Sequence, residues 1–203
     1  MYINSTNQAY PVSERDIREL NPNTSFPAVF VPPEEYSYVF PAPKPEYNLL
    51  TESVQESTPL LTQLGTYQQT WQVVPLEQPA IDANLLQVRT ARVQAIKDER
   101  DRRKFNGVFV MDKWIHTDTY SRTQWMAMVM MGVSLPVIPW TTMDTTTINT
   151  TPALANAVFQ GTAALDTQLF GYAAGLIQAV INSNDPNSVD ITTGWPLTFG
   201  ENV

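Results

Sequence analysis

The sequence predicts an α+β protein. Residues 1–78 read as a small, loop-rich β unit, and residues 79–203 as a helical arm with short β-hairpins and a long C-terminal helix. Three observations carry this. Eleven of the 16 prolines lie at or before Pro79, with Gly65 the only glycine there. Proline fixes φ and removes a hydrogen-bond donor, so this part is closed to long helices. "TYQQTWQVV" alternates large and polar side chains in part, as a half-buried strand does. After Thr151-Pro152, apolar residues recur every three or four positions for about eight turns, the signature of a long amphipathic helix.

Taken in order, the extended pieces of the first unit are residues 2–4, 36–40, 47–51, 53–57 and 66–74. "SERDIREL" is a short helix with Ser13 placed as its cap. From Pro79 to Lys104 the pattern is helical, with Ile81, Leu85, Val88, Ala91 or Arg92, and Ala95 on one face. Ile81, Val88 and Ala95 stand one heptad apart, which permits a coiled coil without demanding one. Lys and Arg collect in the last turns, where the helix dipole favours cations, and Asn106-Gly107 supplies the stop.

"GVFVMDKWIHTD" then reads as a hairpin turning at Asp112-Lys113. "TDTYSRTQWMAMVMMG" reads as a helix capped by Asp118 or Thr117 and stopped by Gly132. "WTTMDTTTINT" is a second hairpin, centred on Asp144-Thr145. Thr151 at N-cap and Pro152 at N1 open the long helix. Its stripe is Leu154, Val158, Gly161, Leu165, Leu169, Tyr172, Leu176 and Val180, and to about residue 183 it would measure roughly 48 Å. The tail after it is irregular, with Trp195-Pro196 as its apolar anchor.

The net charge of −8 and pI near 4.5 argue against nucleic acid as a partner, since phosphate binding needs an excess of Lys and Arg. Without cysteine there are no disulfides, thiolate metal sites or thiol nucleophiles. The start has no basic stretch followed by an apolar one, so no secretory signal is expected. The most apolar run, "LFGYAAGLIQAVI", is too short to span a bilayer, so no membrane insertion is expected. His116 is the single histidine and reads as a polar strand residue, which removes the usual His-based metal and nucleophile systems. The carboxylates of Glu34-Glu35 and of Asp98, Glu99 and Asp101 read as solvated neighbours. With no phosphate-loop or nucleophile-elbow motif, the expectation is a protein that is not an enzyme and uses no metal or cofactor.

The basic stretch holds seven Lys or Arg and three acids between residues 89 and 104. Acids and bases alternate in it, which favours ion pairs along a helix end, or docking on an acidic surface, over binding phosphates. Tyr36, Tyr38, Phe40, Tyr67 and Trp71 are more large rings than so small a unit buries, and aromatic residues are favoured interface anchors. Met126, Met128, Met130 and Met131 surround one helix, so some face outward or meet a partner. Leu165 and Leu176 mark the long apolar stripe, and Trp195 the tail, as further contact candidates. Covering the stripe takes either the 79–104 helix folded back antiparallel or a second copy of the chain. The intramolecular pair is the expected arrangement, with a homodimer on the remaining face.

"AIKDERDRRKFNGVFVMDKWIHTDTYSRTQW" resembles a domain common in tailed-phage fibre assembly proteins. Lys97, Glu99, Arg100, Arg102, Arg103, Gly107, Thr117, Asp118, Ser121 and Arg122 carry the likeness. "WTTMDTTTINTTPALANAV" is similar to the same domain's second hairpin and long helix. The first 78 residues, with "FVPPEEYSYVFPAPKPEY" and "TYQQTWQVV", resemble the N-terminal unit of tail fibre assembly chaperones, and "DITTGWP" resembles their ending. One departure is the hairpin turn, where Met111-Asp112-Lys113 replaces the family's frequent Asn-Gly, so a longer or different turn is expected. The resemblance implies a chaperone that binds the distal end of the trimeric tail fibre protein and assists its folding or trimerisation. It would act in the host cytoplasm during phage assembly. The alternative it implies is a structural or adhesin component kept at the fibre tip in the virion, contributing to host receptor recognition.

Overall fold

In the computed structural model, residues 1–201 are described, and the chain separates into two units, Met1–Ala83 and Asn84 onward. The fold is α+β.

Four strands form the sheet of the first unit: β1 (Tyr2–Asn4), β2 (Tyr36–Phe40), β3 (Glu52–Leu61) and β4 (Tyr67–Pro75), in the order β1-β2-β4-β3. β1 runs antiparallel to β2 and β3 antiparallel to β4, while β2 and β4 are parallel. Ile3 pairs with Ser37 and Val39 with Tyr67, so Ile3, Val39 and Tyr67 share one face, where they form a buried cluster with Tyr10 packed against it. The other face presents Tyr2, Tyr36, Tyr38 and Phe40. Helix α1 (Glu14–Leu20) starts at a capping box, in which Ser13 accepts from the Asp16 amide and the Asp16 carboxylate accepts from the Ser13 amide. That cap sets the helix so that Ile17 and Val12 bury Tyr36.

Two expectations for this unit need correction. Residues 47–51 are a turn, not a strand, because the Asn48 side chain accepts from the Leu50 amide at 2.9 Å and the Asn48 carbonyl accepts from Thr51 and Glu52. The strand expected at 53–57 instead runs to Leu61. Pro59 is tolerated within it because β3 is an edge strand and the register breaks between Ser57 and Leu60.

The second unit is built around α4 (Pro152–Asn182), capped by Thr151. Leu154, Val158, Leu165, Leu169 and Val180 are buried along it, with Tyr172 and Leu176 partly buried. Helix α3 (Thr119–Met131) and the hairpin of β5 (Val108–Val110) with β6 (Lys113–Ile115) pack on it. A second hairpin pairs β7 (Pro139–Thr141) with β8 (Thr147–Asn149). Helix α2 (Gln78–Lys104) runs antiparallel to the last third of α4. Arg89 donates to the Ser183 carbonyl at 2.9 Å, while Arg100 and, further on, Lys104 lie over the Phe170 ring. Val93 and Ile96 of α2 join the buried cluster along the stripe, and Val189, Ile191 and Trp195 of the tail pack there as well.

The heptad expected on α2 does not hold. Ile96 is fully buried and Val93 packs beside it, whereas Ala95 is exposed. The inward positions are instead Arg89, Ile96 and Arg103, also seven apart but one residue on from the expected set. The β5–β6 turn is also one residue earlier than expected. Val110 pairs with Lys113, leaving Met111 and Asp112 as a two-residue turn with φ of 49° and 60°. This is the twist a tight hairpin needs, imposed here on non-glycine residues. Among the described residues no helix is long and apolar enough to cross a membrane.

Candidate partner-binding surface

On the second face of the first unit's sheet, α1 covers only one end. Beyond Tyr36 the face opens: Tyr38 is 47% exposed, Phe40 50% and Leu60 64%. The register makes them neighbours, since Phe40 and Leu60 both pair with Gln68 of the strand between them. Tyr38 and Phe40 stand edge to face with ring centroids 5.2 Å apart. The row of rings continues inward from Tyr38 to Tyr2 at 5.7 Å, Tyr2 to Phe30 at 5.6 Å and Phe30 to Phe26 at 5.3 Å. Arg18 lies 5.0 Å from both phenylalanine rings and closes that end of the row. Water-exposed rings held in a fixed row lose little side-chain freedom when a partner covers them.

The sequence candidates divide over the two faces. Tyr38 and Phe40 are on the open face, and Tyr36 shares it but is buried under α1. Tyr67 and Trp71 are on the opposite face, because the parallel pairing of Val39 with Tyr67 fixes their parity. Tyr67 is buried there, and Trp71 donates to the Ala42 carbonyl at 2.9 Å under Lys44. On the same side Tyr10 donates to Glu56; burial and that carboxylate push its hydroxyl up to about 12. The expected five-ring surface is thus an exposed pair. Leu60 is the member that sequence reasoning missed; it lies past the break in register, where alternation no longer indicates its side.

Candidates in the second unit are packing residues. Leu165 and Trp195 are buried and Leu176 is half-buried within their own unit. Met128 is likewise buried, while Met126, Met130 and Met131 are exposed. Gly171 and Gly175 face open space.

The end of the basic stretch forms a joint with the segment after β6 within the second unit. Arg122 donates to the carbonyls of Lys104 at 2.6 Å and Thr117 at 2.7 Å, and to Asp166 at 2.7 and 2.9 Å. One side chain thereby ties the end of α2, the end of the hairpin, α3 and α4. The buried Thr117 hydroxyl accepts from the Gly107 amide and donates to the Lys104 carbonyl, satisfying the last turn of α2. Asp118 caps α3; the Ser121 hydroxyl and amide hold its carboxyl below the usual carboxylate range. Arg103 contacts Glu99 and Glu201, each at 2.7 Å, donates to the Pro196 carbonyl and lies over Trp195, fixing the tail. The alternating charges of this stretch are spent on such pairs: Arg100 with Asp101, and Arg102 with Glu99. Among the described residues no group of three His, Cys, Asp or Glu is placed to hold a metal ion.

No curated protein and no solved structure matches the chain. A family model described as a domain of unknown function, DUF4376, matches residues 87–193, just over half of the 203 residues. The match takes in the joint, both hairpins and the long helix, and leaves out the N-terminal sheet. The chain belongs to the family defined by this domain, DUF4376.

Proposed function

We propose that this protein is a phage tail fibre assembly chaperone, and that it holds the trimeric fibre protein through the open face of its N-terminal sheet. The observation that carries the reading is the exposed Tyr38–Phe40 pair with Leu60 beside it, an apolar anchor on an otherwise acidic unit. Residues 1–83 contain ten acidic and three basic side chains. Such a surface pairs a central apolar contact with charge that repels other acidic proteins. The likeness of the first 78 residues to assembly chaperones supports the same assignment.

The test is a pull-down of the co-expressed fibre by full-length protein, with the substitutions Tyr38→Ser and Phe40→Ser made together. Both side chains are exposed, so the fold tolerates the change, and circular dichroism checks this. The reading expects the double variant to lose the fibre by at least about tenfold in affinity, as two interface anchors warrant. Retention at wild-type level would move the contact elsewhere.

A further inference from the structure

On the reading that the open face of the first unit's sheet holds the fibre, we propose that the fibre surface it accepts is uncharged, and that Gln55, Gln68 and Gln72 bind that surface alongside the apolar anchor.

The register decides which side chains share the face. Phe40 pairs with Gln68, Gln68 with Leu60, Thr70 with Ser57 and Gln72 with Gln55, and paired residues project to the same side. The tract from Phe40 to Gln55 therefore crosses three strands, roughly 10 Å across and 14 Å along them at the spacings of a pleated sheet. The only charged residues on the four strands are Glu52 and Glu56 of β3, and the same register turns both to the opposite side. Glu56 accepts there from Gln69 at 2.6 Å and from Tyr10, which packs on the buried cluster of Ile3, Val39 and Tyr67. Residues 1–83 carry ten acidic and three basic side chains, yet the strands place none of them on the open face.

The polar groups that remain are mostly amides. Gln55, Gln68 and Gln72 are exposed, and their side-chain amides have no partner among the described residues. The Thr70 hydroxyl is already given to the Thr58 carbonyl at 2.8 Å. Each free amide both donates and accepts, so it matches main-chain groups, other amides and hydroxyls. A Lys, Arg or carboxylate of the partner laid on this tract would lose its hydration and meet no opposite charge. A basic fibre surface, which the net charge of the unit alone would suggest, is therefore disfavoured at the contact itself.

The experiment measures binding of purified fibre to full-length protein carrying Gln68→Glu or Gln72→Glu. Each substitution keeps the side chain's size and adds charge to the tract. Gln63→Glu adds the same charge in the exposed turn between β3 and β4, and circular dichroism checks that all three fold. Both tract variants should bind at least about tenfold more weakly, and Gln63→Glu within about twofold of wild type. Wild-type affinity should change less than about threefold between roughly 0.05 and 0.5 M salt, since no charge pair at the contact is there to be screened. Tighter binding by either tract variant, or a tenfold or so loss of wild-type affinity with salt, would mean a basic fibre surface and overturn the proposal. Unchanged binding by both tract variants would overturn it too, by placing the glutamines outside the contact. Each of these results leaves the chaperone reading standing, whereas a wild-type protein that binds no fibre removes that reading and this proposal together.

Discussion

Arg122 grips Asp166 with both terminal nitrogens, at 2.7 and 2.9 Å, while its remaining donors reach two main-chain carbonyls on other elements. Both side chains keep about a quarter or less of their surface in water. Removing Arg122 leaves the Asp166 charge and the Thr117 carbonyl without these donors. Arg122→Ala should therefore cost about 2 to 4 kcal/mol in urea unfolding. Arg122→Lys should recover less than half of this, because an ammonium cannot reproduce the fork. A cost below about 0.5 kcal/mol for the alanine variant would show that the joint is held by packing alone.

Acid should loosen the same unit. The Ser121 contacts depress Asp118, and Arg102 followed by Arg103 outweighs burial to depress Glu99. Asp144 and Asp190, bonded by neighbouring threonines, are held low as well. Each carboxylate binds its proton more readily when unfolded, so its contribution is complete above the unfolded values near pH 4. It is lost as pH falls through the lower folded values. Melting temperature should hold from pH 7 to about 5 and drop below 4, with Asp118→Asn showing the smaller drop. A melting temperature that rises between pH 5 and 3 would contradict these assignments.

Glycines on the second unit should separate by surroundings. Gly171 and Gly175 are helical with nothing near a prospective Cβ, so Gly171→Ala and Gly175→Ala should each add about 0.5 to 1 kcal/mol. At Gly107 φ is +89° and a Cβ would collide with Met143 Sδ, so Gly107→Ala should destabilise by more than 1 kcal/mol or so. Thermal unfolding of the three variants orders them.

Much of this was written locally in the chain. Ser13 and Thr151 were readable as helix caps, Asp118 as one of two adjacent choices, and Gly132 as a stop, because capping depends on residues a few positions apart. The stripe of α4 was readable for the same reason. What alternation alone left undecided was which face of the sheet each ring takes. That depends on the parallel pairing of Val39 with Tyr67, which joins segments far apart in sequence. The turn at Met111-Asp112 was hidden because its residues do not favour positive φ, and the burial of Ile96 because the inward set of α2 (Arg89, Ile96, Arg103) includes two arginines that an apolar pattern passes over. The partners of Arg103 were equally hidden. Glu201 lies almost a hundred residues away, and no local pattern points from one to the other.

Leu165 and Leu176 share one stripe but not one environment. Leu165 is buried against the rest of its unit, so Leu165→Ala should cost about 2 to 4 kcal/mol, while half-buried Leu176→Ala should cost about half of that. Light scattering on both variants should show the wild-type mass, because the stripe is covered from within. Equal and negligible costs, or a change of mass without a change of stability, would make the stripe an intermolecular contact.

The most direct measurement is the yield of SDS-resistant fibre trimer when the cognate fibre is expressed alone, with this protein, or with its Tyr38→Ser/Phe40→Ser/Leu60→Ser variant. The account predicts abundant trimer only with the wild-type protein, and the background level with a variant that folds normally. Equal trimer in all three would contradict the chaperone reading, and full trimer with the variant would contradict the surface assigned to it.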